Sequence, residues 1–185
     1  MHGAAYQYVV DHRPSDPGDV LDVGGRNING SVRGVLHTEG HAYTVVDLVD
    51  GADVDVVGDI CELGLVDVAD TVVCLEVLEH TEAWPDVVAA CVAACRPGGT
   101  VIFTAAGPTR AAHSAFDGGE LRDGEHYENI AVDALDGVLA GLDVAGYEID
   151  VIGDDIRAVL QLPKQTKPKA ARKRPVRRQP KDSED

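Results

Sequence analysis

The sequence predicts an α/β fold built on a mostly parallel sheet and closed by an antiparallel hairpin. Three observations carry that prediction. Short Val-rich apolar runs alternate with segments of helical periodicity, as βαβ units do. One run, Asp70 to Glu76, is apolar enough for a strand covered on both faces. The last two runs are separated only by Gly153-Asp-Asp155, which is hairpin chemistry.

The elements follow in order. Residues 1–14 read as a short lead-in helix ended by Pro14. Val20-Leu-Asp-Val23 is a strand stopped by Gly24-Gly25. A loop bearing glycine and asparagine runs from Gly25 to Gly30, and Ser31 is placed to cap a short helix through Leu36. Ala42 to Asp47, Val54 to Val57 and Asp70 to Glu76 supply three further strands. Ala83 to Cys95 is helical, with apolar residues at 84, 87, 88, 91, 92 and 95, and Arg96-Pro-Gly-Gly99 stops it. Thr100 to Thr104 is the fifth strand. Residues 107–129 are polar and Gly-rich, Ala131 to Ala145 is an amphipathic helix, and Tyr147–Ile152 with Ile156–Leu162 form the hairpin.

Charge divides the chain of 185 residues into a body and a tail. Residues 164–185 hold nine of the 16 basic and three of the 32 acidic residues, a net of +6. The body keeps seven basic residues, all Arg, against 29 acidic ones, a net of −22. A body so acidic is a poor polyanion binder. The expected organisation is a domain over 1–163 and a disordered basic tail over 164–185. That tail can make weak, salt-dependent contact with nucleic acid or another polyanion through residues 164–181. Apolar runs fall far short of the ~20 residues a membrane span needs, so no membrane association is expected. The first residues lack the charged and apolar regions of a signal peptide, and four cysteines make no disulfide framework. The expectation is a soluble, cytoplasmic protein. Cys91 and Cys95 share the apolar stripe of one helix and read as buried thiols.

Ligands of open α/β sheets bind beyond the carboxyl ends of the strands. There the sequence places Gly24 and Gly25, which let a ligand approach the backbone, and Asp47, which can accept from a ribose diol. Together they suggest a nucleoside-containing cofactor. Glycines at 24, 25 and 30 do not make G-x-G-x-x-G, which disfavours a pyrophosphate cradle and a nicotinamide reductase, and no Walker loop occurs.

Val20-Leu-Asp-Val-Gly-Gly25, Val46-Asp47, Gly58-Asp-Ile60, Leu75-Glu-Val-Leu-Glu-His80 and Arg96-Pro-Gly-Gly-Thr-Val101 occur in that order. The series resembles a class I S-adenosylmethionine-dependent methyltransferase of the small-molecule type, over roughly residues 18–162. The resemblance implies a three-layer Rossmann-like sandwich with a mostly parallel seven-stranded sheet. It also implies S-adenosylmethionine as cofactor. Asp22, Gly24, Gly25 and Asn29 would then belong to the cofactor loop, Asp47 to the ribose site, Asp59 and Ile60 to the adenine site, and Glu76 to the cofactor's edge. The glycine loop departs from the family pattern at Arg26 and Ile28, leaving Asn29, Ser31 and Arg33 as substitute polar partners.

The implied function is methyl transfer to an O or N nucleophile of a small-molecule acceptor, such as a metabolite or sugar. The alternative is a catalytically weak methyltransferase-like protein that binds nucleic acid or an anionic partner through its tail. His80, Glu79 and the 107–129 segment, with His113 and His126, fall where an acceptor would sit. The three imidazoles are the candidate general bases, and the segment is a candidate lid. Asp117, Glu120, Glu125 and Glu128 near these histidines leave a hard or borderline metal as an alternative, but no close ligand pair such as H-x-x-x-H occurs and no metal is expected.

Overall fold

The Val-rich runs pair into one sheet in the computed structural model, which describes residues 3–165. Its strands are β1 (Val20–Val23), β2 (Tyr43–Asp47), β3 (Val56–Val57), β4 (Ala69–Leu75), β5 (Cys95–Ala106), β6 (Gly146–Ile152) and β7 (Asp155–Gln161). They are ordered β3-β2-β1-β4-β5-β7-β6. β1 to β5 pair in parallel, while β7 runs antiparallel to both β5 and β6. The chain order reverses between β1 and β4, which opens a crevice at their carboxyl ends.

Strand alternation sorts the side chains into two cores. Leu21, Val23, Val72, Cys74, Val101 and Phe103 face the helices α4 (Trp84–Ala94) and α5 (Val132–Ala140), which contribute Val88, Cys91, Leu135 and Leu139. Val20, Val45, Val73 and Ile102 face α1 (Gly3–His12) and α2 (Arg33–Leu36), which contribute Tyr8, Val9 and Leu36. Each buried aliphatic side chain contributes about 1.5–3 kcal/mol relative to exposure. The three-layer, mostly parallel seven-stranded sandwich with an antiparallel C-terminal strand is therefore present.

Several boundaries differ from the sequence reading. The helix expected over 131–145 stops at Ala140, where Gly141 caps it and Gly146 opens β6. The third strand keeps only Val56 and Val57 of the four expected residues. α2 begins at Arg33 with Val32 at the cap position, although the Ser31 hydroxyl does accept from Arg33 N. Cys95 is not helical but is the first residue of β5, and Arg96-Pro-Gly-Gly99 lies within that strand. Register jumps there from Ala69↔Cys95 to Thr71↔Thr100. A Cβ on Gly99 would lie 2.5 Å from the Asp70 carbonyl oxygen, so only glycine fits the bulge. Arg96 then reaches Asp19 and Asp70 at 2.9 and 2.7 Å, tying the amino ends of β1 and β4. Periodicity gave no sign of two short elements, α3 (Ile60–Leu63) and a 3-10 turn over Leu78–His80. The basic tail falls almost wholly on residues 166–185, outside the described residues. Among the described residues no helix is long and apolar enough to cross a membrane.

Candidate active site

The candidate cofactor residues lie at or beyond the carboxyl ends of parallel strands, except Asp22, which stands within β1. Gly24 continues β1 at a φ of +72°, and a Cβ there would lie 2.3 Å from Val77 Cγ2. Glycine is thus required for conformation and for space. A Cβ on Gly25 would lie within 2.6 Å of the Asp22 carboxylate. That carboxylate is buried beneath the loop, because alternation along β1 turns Asp22 towards the α1/α2 face. There it accepts from Tyr43 Oη at 2.6 Å. Burial raises its pKa to about 6, against the lowering effect of that hydrogen bond and of Arg33. Asp22 therefore acts on the loop from behind. Tyr43, whose role the sequence did not signal, is its partner.

A cavity of about 280 Å³ opens over β1, β2 and β3. Asp47, Asp59 and Ile60 line it together with Gly24 and Val77. Asp47 ends β2, and its two oxygens accept from Arg26 N and Val49 N at 3.2 and 2.9 Å. Each carboxylate oxygen keeps a further lone pair for a ligand hydroxyl. Asp59 caps α3 by accepting from Cys61 N through Oδ1 at 2.9 Å. Arg26 and Ile28, which replace the expected glycines, line this cavity too. The Arg26 stem packs where a side chain on Gly51 would otherwise sit. Of the proposed substitutes, Asn29 lines only the neighbouring cavity. Arg33 turns away, over the Tyr43 ring and towards Asp55.

The neighbouring cavity, of about 490 Å³, shares Gly24, Arg26, Glu76 and His80 with the first. Glu76 is held at a φ of +59°, a conformation costly for a residue with a side chain. Its amide donates to Thr104 O, and its carboxylate accepts from Thr104 Oγ1 at 2.8 Å. Arg110 Nη2 stands 3.8 Å from the other carboxylate oxygen. These contacts fix the side chain at the junction of the two cavities.

The far wall comes from the 107–129 segment, which has neither helix nor strand and runs across the carboxyl ends. It is anchored where Glu128 N donates to Glu79 O and where Asn129 Nδ2 donates to Gly107 O and Arg110 O. His113 from this segment meets His80 edge to face, with ring centroids 5.0 Å apart, and Tyr127 packs against both. Burial and the adjacent His113 lower the His80 pKa to about 4, so the ring is neutral at pH 7. Beneath them Glu79 is fully buried, and burial together with the Glu76 charge raises its pKa well above the usual carboxylate range. Glu79 was expected to face an acceptor directly, but it supports the cavity wall from inside. His126 does not join the cluster. Its ring lies 3.7 Å from Glu82 and 3.8 Å from Glu128, and it lines neither cavity. Arg110 went unnoticed in the sequence, and Tyr127 stood out only as part of the polar 107–129 segment, because only the folded segment brings them beside Glu76 and the imidazoles.

The family model described as "Methyltransferase domain" matches residues 5–138. No curated protein matches the sequence. Solved structures share the fold at low identity. A Burkholderia thailandensis 1,6-didemethyltoxoflavin-N1-methyltransferase, bound to 1,6-didemethyltoxoflavin and S-adenosylhomocysteine, superposes with a TM-score of 0.64 at 17% identity, over 88% of this chain and 78% of that one. A SAM-dependent methyltransferase from Archaeoglobus fulgidus gives 0.63 at 15% identity, over 85% and 93% of the two chains. The Haemonchus contortus phosphoethanolamine N-methyltransferase 2, with phosphomonomethylethanolamine and S-adenosylhomocysteine, gives 0.63 at 14%; the match covers 88% of this chain and 53% of that one. The family match over most of the chain, on a sheet of this order with its crevice between β1 and β4, shows that the chain belongs to the methyltransferase domain family, the S-adenosylmethionine-dependent enzymes of class I fold.

Proposed function

We propose that this methyltransferase moves a methyl group from S-adenosylmethionine to an O or N nucleophile of a small-molecule acceptor. The observation that carries the reading is the pair of cavities joined at Gly24, Glu76 and His80. The smaller suits the cofactor's nucleoside. Its glycine wall admits no Cβ, two carboxylates stand at its rim, and Ile60 offers an apolar face. Asp47 would hold the ribose hydroxyls, Asp59 and Ile60 the adenine, and Glu76 with Asn29 the part nearer the junction, while Asp22 stiffens the loop. When bound, S-adenosylmethionine supplies a methyl group already activated by its sulfonium.

The larger cavity is the acceptor site in this reading. Its polar lining, with Arg110, Ser114, Glu120 and the imidazoles, favours a polar acceptor of metabolite size. The toxoflavin precursor and the phosphoamine of two structural neighbours are ligands of that size class. The protein's main task is alignment and exclusion of water, which the 107–129 segment would perform as a lid. Neutral His80, with His113 beside it, can take a proton from the acceptor where the nucleophile must lose one. Calorimetric titration of the full chain with S-adenosylmethionine and S-adenosylhomocysteine tests the core of the proposal. One equivalent of each should bind, and mass spectrometry of co-purified ligand then narrows the acceptor. Absence of binding by both would refute it.

A further inference from the structure

The cluster beneath the acceptor cavity has the composition of a metal site. A carboxylate oxygen of Glu79 and one ring nitrogen each of His80 and His113 lie within 4.8 Å of one another. We propose that these three side chains bind one borderline divalent cation, of the Zn²⁺, Co²⁺ or Mn²⁺ type, open towards the acceptor cavity.

Three observations support the assignment. Glu79 is fully buried, and its Oε2 has no hydrogen-bond partner, while Oε1 accepts from Ala106 N at 3.2 Å. A buried carboxyl oxygen left without a partner is costly, and a cation removes that cost. His80 Nδ1 is also buried and without a partner. His113 is oriented from behind: Nδ1 pairs with the Ala111 carbonyl at 3.1 Å, and Nε2 stands 4.0 Å from Glu79 Oε1. An imidazole oriented by a backbone carbonyl is the usual surrounding of a histidine ligand.

The spacing is close to what an ion needs. Ligands ~2.1 Å from one ion lie ~3–4 Å apart, so the three must close by up to about an ångström. His113 can supply that movement, since it is half-buried on a segment without regular structure. Tyr127 packs on both imidazoles. Two imidazoles and one carboxylate favour borderline ions over Mg²⁺ or Ca²⁺. Three protein ligands leave positions for an acceptor oxygen, because His80 and His113 both line the larger cavity. The ion site stands on the cluster alone; with an ion bound, His80 and His113 serve as its ligands and no longer as bases, and its use on an acceptor hydroxyl rests on the reading above.

The test uses the untagged full chain after dialysis against a chelator. Calorimetric titration with ZnCl₂, and visible absorption on titration with CoCl₂, should show one equivalent of ion, with MgCl₂ binding far more weakly. His80→Ala, His113→Ala and Glu79→Gln should each weaken binding ~100-fold or more, at least the scale seen when metal ligands lose their supporting groups. Circular dichroism shows whether each variant is folded, and His113→Ala, on the surface segment, keeps the test decisive if Glu79→Gln misfolds. His126→Ala, outside the cluster, should bind as the parent does. Failure to bind one equivalent of Zn²⁺ or Co²⁺, or equal affinity in His113→Ala and the parent, would overturn the site. Titration of the metal-free protein with S-adenosylhomocysteine separates the two proposals. If that binds and the ions do not, only the metal site fails; the reverse leaves the metal site and removes the methyl-transfer reading.

Discussion

Replacing Gly24 by alanine probes the wall that both cavities share. An L-residue at a φ of +72° costs ~1–2 kcal/mol. The added Cβ would lie 2.3 Å from Val77 Cγ2. Val77 is β-branched and packs against the main core, so it cannot swing away freely. Overpacking of that kind costs a further ~1–3 kcal/mol. The single variant should therefore lose ~2–5 kcal/mol, a large fraction of a typical domain's stability of about 5–15 kcal/mol. Val77→Ala removes the obstructing methyl at the cost of its own packing. The double variant should then be ~1–3 kcal/mol more stable than the two single effects would sum to, the coupling expected of directly touching residues. Urea unfolding followed by circular dichroism measures all four proteins, and S-adenosylhomocysteine titration reports whether the loop still receives its ligand. Affinity should fall in Gly24→Ala and recover only in part with Val77→Ala. A loss below ~0.5 kcal/mol with no coupling would show that the loop relaxes without cost, and the steric reasoning would be wrong.

Three further outcomes are expected. Asp47→Ala should weaken S-adenosylmethionine binding by ~1.5–3 kcal/mol, the range for a hydrogen bond to a charged group; unchanged calorimetric affinity would remove Asp47 from the site. With an acceptor in hand, His80→Ala or His113→Ala should lower turnover ~10²-fold at nearly unchanged cofactor affinity, while His126→Ala stays close to the parent; three unimpaired variants would leave alignment as the whole of catalysis. Asp22 titrates at about 6 when folded and near 3.8 otherwise, so the folded state holds the extra proton between those values. Its contribution to stability is fully present at low pH and falls as pH rises from 4 through 6. Asp22→Asn should therefore gain on the parent across that window by about 3 kcal/mol; a stability difference flat with pH would contradict the buried, shifted carboxyl.

The sequence alone determined the strand order of chemistry along the chain. Gly24 and Asp47 could be placed at strand ends because each closes a Val-rich run, whereas Asp59 and Glu76 were placed through the resemblance to the methyltransferase family. The helix over Trp84–Ala94 was legible because its apolar stripe repeats at the helical period. The terminal hairpin was legible from its turn residues. Other features depend on contacts between residues far apart in the chain, which periodicity does not encode. Arg96-Pro-Gly-Gly99 looked like a helix stop followed by loop. Pairing with β4 absorbs it into a bulged strand, because the Asp70 backbone approaches Gly99 too closely for any side chain. Asp22 looked like a cofactor contact. Alternation along β1 and the distant Tyr43 hydroxyl turn it instead into a buried support of the loop. The three histidines looked equivalent. Their separation depends on how the 107–129 segment crosses the strand ends: it carries His113 onto His80 and Glu79, and leaves His126 between Glu82 and Glu128. Local chemistry thus marked the strand ends that open on the crevice, and only tertiary packing decided which side chains reach it and which of them meet.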